Sequence, residues 1–188
     1  VQLAQRQLEK GIAIDANTLS RLRSQADRIS HLVVDLLDVS RLERGDIKLE
    51  LKNVDLVEII NECVSDFKIQ SPTRKLVCFH DTESPINIQI DKIRIQQVIT
   101  NLLDNAIKYT PENTPLEIIL KLNSNYARVS VVDHGPGISK VQQEMLFSPF
   151  SRGTSELTER TGGLGLGLFI CNEIIKLHKG SIGVKSKL

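Results

Sequence analysis

The sequence has 188 residues, 40% of them hydrophobic and 25% charged, with a formal net charge of +1. That balance describes an ordinary soluble chain, long enough for one large domain or two small ones, and it gives no electrostatic case for nucleic acid or an anionic membrane. No apolar run reaches the roughly 18 residues of a membrane span, no signal peptide opens the chain, and the scattered Cys63, Cys78 and Cys171 lack metal-ligand spacing and read as reduced, mostly buried thiols of a cytosolic protein.

Residues 1–10 (VQLAQRQLEK) read as the tail of a helix stopped by Gly11. Asp15 or Asn17 can cap the next helix, along which Leu19, Leu22, Ala26, Ile29, Val33, Leu36 and Ser40 recur at alternating steps of three and four. Leu32, Leu37 and Val39 widen this seam, a pattern that favours a helical bundle over a two-stranded coil. A helix and a stub cannot bury so much apolar surface alone. The expectation is self-association into a dimeric four-helix bundle, and the alternative is packing against the second half of the chain.

Gly45 ends that helix, and Ile47, Leu49 and Leu51 then alternate with polar residues as a short strand. Asp55 can start a helix carrying Leu56, Ile59, Ile60, Val64 and Phe67, closed off by Pro72. Leu76 to Phe79 and Ile86 to Ile90 are strand candidates. Asp91 to Pro111 (DKIRIQQVITNLLDNAIKYTP) follows as an amphipathic helix, its buried face made by Ile95, Val98, Ile99, Leu102, Leu103, Ala106 and Ile107. Leu116–Leu122 and Tyr126–Val132 read as a hairpin around Asn123-Ser124-Asn125. A short helix over 139–147, a polar stretch over 151–162, a helix over Leu164–Leu177 and a strand over Ser181–Ser186 complete the chain. Mixed order with hairpins, in place of repeated βαβ units, predicts α+β: one layer of helices on a mixed sheet.

Four constellations carry possible chemistry. Asn101, Asn105 and Lys108 stack in one stripe of their helix, two carboxamides and an ammonium suited to a polyphosphate and its metal ion, or simply a polar face. Asp133-His134-Gly135-Pro136-Gly137 follows a strand as a tight turn, where an aspartate can accept from an exocyclic amine such as that of adenine. Thr161 to Leu168 (TGGLGLGL) leads glycines into a helix, leaving the first backbone N–H groups free for phosphate. It is neither a Rossmann fingerprint nor a Walker A loop, and its leucines argue that it folds back onto a core. Phe147-Ser148-Pro149-Phe150, with Arg152 beyond, suggests a hinge at the start of the polar stretch with a cation beside a phosphate site, or aromatics placed for core packing alone.

The order Asn101-x-x-x-Asn105, Asp133-x-Gly-x-Gly, Phe-x-Pro-Phe and Gly-x-Gly-x-Gly-Leu, with this layout of elements, resembles the ATP-binding domain of sensor histidine kinases. Asp27 to Gly45 (DRISHLVVDLLDVSRLERG) is similar to the end of the second helix of that family's dimerisation and phosphotransfer domain. The resemblance implies two parts: residues 1–46, the C-terminal part of a helical hairpin that dimerises as a four-helix bundle, and residues 47–188, a two-layer α/β sandwich whose mixed sheet is covered by helices on one face. By that resemblance the chain is expected to stop before the last strand usual in the domain, with a sheet edge left open.

The resemblance also implies roles. Asn105 would coordinate Mg²⁺ with the ATP phosphates, a neutral ligand because the triphosphate already supplies negative charge. Asn101 and Lys108 would contact phosphate, and Tyr109 would flank the adenine. Asp133 would read the adenine amino group, with Gly135 and Gly137 shaping that wall. Residues 151–162 would form the ATP lid, bounded by Phe150 and Arg152, with Gly163, Gly165 and Gly167 letting the lid and the following helix approach the phosphates beside Leu164 and Leu168. Leu164 stands where a small or hydroxyl-bearing residue is common, so one phosphate hydrogen bond is missing.

The same fold is similar to that of gyrase, Hsp90 and MutL ATPases, which use a glutamate four residues before the metal-binding asparagine. Here that position is Asn101, which cannot act as a general base. A kinase needs no such base in this domain, since phosphoryl transfer rests on positioning and charge stabilisation. Kinase is therefore preferred to the ATPase, and to a third reading as a non-catalytic nucleotide-binding dimerisation module. The family's phosphoacceptor motif has no match here. His31 sits at an outward position of the second helix, and His80, His134 and His178 lie in or beside the ATP domain, so the acceptor is expected upstream of Val1. Implied partners are a second copy of the chain and a response regulator receiver domain, with no nucleic acid and no membrane contact by these residues. The implied location is cytoplasmic, with inner-membrane anchoring of the parent left open.

Overall fold

The computed structural model of the chain describes residues 15–81, 84–151 and 164–188, apart from the side chains of residues 21, 24, 27 and 28. The helix tail and Gly11 stop expected at the N-terminus, most of the polar stretch 151–162, Arg152 and Gly163 lie outside the described residues. Helix α1, Ala16–Glu43, begins where the Asp15 carboxylate accepts the Thr18 N–H at 2.7 Å. It ends in a Schellman motif: Gly45, at φ +67°, donates to the Leu42 carbonyl, and Asp46 donates to that of Arg41. Leu19, Ile29, Val33 and Leu36 of the seam are each more than half exposed, so the chain's own second half does not cover them. Among the described side chains of α1, those at its end, Asp38, Val39 and Leu42, pack inward.

Strand β1, Lys52–Asp55, pairs antiparallel with β3, Asn87–Ile90. The Ile47–Leu51 segment expected as a strand lies outside this ladder: pairing begins at Lys52↔Ile90, and Asp91 then draws the Glu50 N–H to its own carboxylate at 3.0 Å. Helix α2, Leu56–Gln70, is capped by Asp55, whose Oδ1 accepts from both Val57 and Ile86 N–H groups. Its residues Leu56, Ile59, Ile60, Cys63, Val64 and Phe67 recur at helical spacing and are buried, the aliphatic and aromatic ones each contributing about 1.5–3 kcal/mol of transfer free energy.

Strand β2, Leu76–His80, runs parallel to β4, Leu116–Leu122, which pairs antiparallel with β5, Ala127–Val132. Along β4, Leu116, Ile118 and Leu120 point into the core while Glu117 and Ile119 alternate to the other face. The hairpin loop closes with Asn123 N–H on the Tyr126 carbonyl, so Tyr126 belongs to the turn, with its ring beside the Arg128 guanidinium.

Helix α3, Lys92–Tyr109, buries Ile95, Val98, Ile99, Leu103 and Ala106. A short α4, Lys140–Met145, opens with a Ser139–Gln142 capping box. Helix α5, Gly167–Leu177, starts three residues later than expected, because Gly165 turns the chain at φ +71° and Leu166 is the buried residue before the first turn. The result is α+β. Helices α2 and α3 cover one face of the strands, and a second apolar cluster of Val39, Val98, Leu166, Ile170, Cys171 and Ile174 joins α1, α3 and α5.

The expected strand over 181–186 does not form. Its polar groups go to the loop before and within α4: the Ser186 hydroxyl accepts from Ile138 N–H, and Gln143 donates to the Ser186 carbonyl. Among the described residues the outer edge of β5 carries no paired strand. No described helix is long and apolar enough to cross a membrane.

Candidate functional site

The site is built on α3. Asp91 holds the helix N-terminus by accepting the Arg94 N–H, and its own N–H donates to Nε2 of His178 at the end of α5. The other ring nitrogen of His178 faces the Ile174 carbonyl at 2.8 Å, so the residue that caps the end of α5 also joins α5 to the start of α3. With both helices fixed, the half-buried Asn101 and Asn105 and the exposed Lys108 share one side of α3.

Asn101 faces α5. A Cβ added to Gly167 would sit 3.8 Å from the Asn101 carboxamide, and the Cys171 thiol lies beside it as well. Burial pushes that thiol up to about 12, and its S–H is directed to the Val98 carbonyl. The Asn101 Nδ2 is buried yet makes no hydrogen bond among the described residues. Opposite it, the first turn of α5 has no side-chain cap, so its leading N–H groups are without intrahelical acceptors. An amide and a helix N-terminus, both short of acceptors and facing each other, fit an anion.

The far end of α3 meets the turn after β5. Asp133 Oδ1 accepts the Gly135 N–H at 2.9 Å, and a Cβ on Gly135 would come within 2.8 Å of the Tyr109 carbonyl and 2.9 Å of Asp133 Oδ1. Only glycine lets the turn lie this close to the helix end. Gly137, at φ +76°, passes under the Lys187 carbonyl where a side chain would collide. Asp133 itself is exposed.

Phe147 is half-buried, while Phe150 is exposed in a left-handed conformation, φ 59°, unusual for a non-glycine residue. Leu164 is exposed, Leu168 half-buried, and Leu166 is the leucine that anchors the glycine loop in the core. Arg152 and Gly163 belong to the undescribed segment.

Three features escaped the sequence reading. Asp104 lies between the two asparagines, and burial raises its carboxyl above the ordinary range against the pull of Lys108 and His31. Asp35 on α1 is raised by burial too, with His31 and Lys108 opposing, so Lys108 feels carboxylates from both helices. Arg74, buried before β2, donates to the carbonyls of Thr110 and Pro111 just past α3. Periodicity flags none of these, since each depends on segments far apart in the chain.

For the implied metal the donor chemistry fits. The described residues contain no cluster of three or more His, Cys, Asp or Glu able to hold an ion alone, whereas a neutral carboxamide beside an anion pocket suits an ion that arrives with a polyphosphate.

Residues 90–188 match the family model described as histidine kinase-, DNA gyrase B-, and HSP90-like ATPase. The chain belongs to this family. Within it, the chain is a sensor histidine kinase catalytic core. It is 36% identical over 171 residues, 91% of its length, to the probable sensor histidine kinase TcrY of Mycobacterium tuberculosis, of which it covers 36%. Full-length ShkA in complex with AMPPNP superposes with a TM-score of 0.76 at 26% identity, covering 99% of this chain and 39% of that one. Histidine kinase ThkA in complex with the response regulator TrrA gives 0.71 at 27% identity, covering 99% and 52%. The chain spans 29–47% of the length of four curated sensor kinases that it matches. The match brings an ATP-binding ATPase domain, and the histidine kinase fold accounts for the α+β architecture.

Proposed function

We propose that this chain is the ATP-binding catalytic part of a sensor histidine kinase whose parent transfers the γ-phosphoryl group of MgATP to a histidine, for relay to an aspartate of a response regulator. The observation that carries the reading is the unpartnered, buried Asn101 amide opposite the uncapped N-terminus of α5. Such donors favour phosphate and do so without reorganisation.

When bound, MgATP supplies the transferable phosphoryl group and the metal charge. Asn105 would hold Mg²⁺. Asn101, Lys108 and the backbone over Gly163, Gly165 and Gly167 would bind phosphate oxygens. Tyr109 would lie against the adenine, and Asp133 would accept from its amino group on the wall shaped by Gly135 and Gly137. Phe150, Arg152, Leu164 and Leu168 would border the lid. No residue of this set is a general base at the position of Asn101, which supports transfer to a protein over transfer to water.

The proposed division is a dimerisation segment over 1–46 and the ATP-binding domain over 47–188. The exposed seam of α1 supports dimerisation, because uncovered leucines, isoleucines and valines at heptad spacing need a partner. The ThkA complex with its response regulator supports the receiver domain as the downstream partner. His31 is not assigned the acceptor role: it lies beside Asp35 and Asp104 and lacks the family's acceptor motif.

Incubation with γ-labelled ATP tests this. The chain is expected to bind nucleotide, to hydrolyse it at background rate and to take up no label. Steady hydrolysis would favour the ATPase reading, and acid-labile label on His31 would overturn the assignment of the acceptor.

A further inference from the structure

Arg74 is 8% exposed, a charged side chain in a place where charges are costly to bury. No carboxylate pairs with it among the described residues. Its Nη1 donates to the Pro111 carbonyl at 2.5 Å and its Nη2 to the Thr110 carbonyl at 3.2 Å, while its Nε has no partner. Two consecutive carbonyls at the negative end of α3 thus take the place of a counter-ion. A planar fork can hold both at once, whereas an ammonium is a single point charge on a flexible stem.

The pinned backbone is one residue from the site. Tyr109 precedes Thr110, and the Tyr109 carbonyl lies against Gly135 with no room for even a methyl group. Gly135 in turn holds the Asp133 carboxylate through its N–H. A continuous line of contacts therefore runs from Arg74 through Thr110 and Tyr109 to Gly135 and Asp133, and its tightest joint has no slack. Strand order explains the convergence: β2 and β4 are parallel, so the residue before β2 lies by the segment entering β4, and antiparallel β5 returns Val132 beside Glu117.

We propose that Arg74 is a positioning residue for base recognition: by clamping Thr110 and Pro111 it sets the distance between the end of α3 and the Asp133 turn, and so fixes the preference for a 6-amino purine. The proposal rests on the nucleotide-site reading above. It assigns Arg74 no contact with ligand.

Arg74→Lys and Arg74→Met test it, with calorimetric titration of the full 188-residue chain by Mg²⁺-bound ATP and by inosine triphosphate, which carries a carbonyl in place of the amine. Wild type should prefer ATP by about tenfold or more, the worth of one charged hydrogen bond. Both variants should move that ratio towards one while remaining folded by circular dichroism, and Arg74→Lys alone decides if Arg74→Met does not fold. An unchanged ratio, or equal losses for both nucleotides as expected from general loosening, overturns the proposal while leaving the nucleotide site standing. Binding of neither nucleotide by wild type overturns the site and the proposal together.

Discussion

Arg94 on α3 directs one nitrogen, Nη1, at both carboxylate oxygens of Asp38 on α1, 3.1 Å from each. Gln97 completes the knot: its amide donates to Asp38 Oδ2 at 2.7 Å, and its carbonyl oxygen accepts from the same Arg94 nitrogen at 2.9 Å. The Asp38 side chain is 7% exposed, so this is a largely desolvated ion pair. It fastens the stem helix to the helix that carries the asparagines. Asp38→Ala would leave a guanidinium buried without its partner, and a loss of about 3 kcal/mol in urea unfolding is expected. A loss within about 0.5 kcal/mol, as for an exposed pair, would mean that the knot is not desolvated in solution.

Gly135→Ala follows from the crowding between α3 and the Asp133 turn. The two nearest atoms are a backbone carbonyl and a carboxylate that is itself bonded to the turn, so neither yields cheaply. Overpacking of this kind costs about 1–3 kcal/mol. ATP affinity should fall with it, because the turn moves away from the Tyr109 carbonyl. Calorimetry and thermal unfolding on one preparation check both, and an alanine variant with wild-type affinity would refute the close approach.

The raised Asp104 carboxyl gives a pH dependence with a definite sign. A group raised by burial holds its proton more tightly when folded, so stability falls as pH climbs from the unfolded value of about 3.9 through the raised folded one. Asp104→Asn removes the ionisation and should be more stable than wild type at pH 7. That advantage should vanish below about pH 4, where the Asp104 carboxyl is protonated in the folded and unfolded states alike. A stability difference independent of pH would show that burial does not raise the Asp104 carboxyl, and an asparagine variant less stable than wild type at pH 7 would show a partner-stabilised carboxylate instead.

Much of this molecule can be read from local patterns. Helix α3 could be placed from Asp91 to Pro111 because its apolar spacing is long and unbroken, and the ladder at Leu116–Leu122 matches the expected strand residue for residue. Gly45 is legible as a stop, since a left-handed residue after a helix is a local event. Pairing is not local. Ser181–Ser186 has strand-like composition, yet the Ser186 hydroxyl and carbonyl find partners at Ile138, before α4, and at Gln143 within it. Ile47–Leu51 alternates as a strand should, but the register with β3 begins one residue beyond it.

The candidate site divides the same way. Asn101, Asn105 and Lys108 stand out because one helix face collects them, and Asp133 and Gly135 because a turn does. Asp38, Arg74 and His178 work across 56, 37 and 87 residues of chain respectively, and nothing in their neighbours announces it. Asp38 sits in an apolar run where it reads as an ordinary helix-surface charge.

The central claim is that the asparagine stripe of α3 is the wall of a MgATP site, and a calorimetric titration of wild type against Asn105→Asp tests it most directly. Placing a carboxylate beside the phosphates should weaken MgATP binding by about 2 kcal/mol, roughly thirtyfold, at physiological salt. Thermal unfolding should change little, since residue 105 is only half-buried. Equal affinities for wild type and variant, or no binding of MgATP by wild type, would contradict the account.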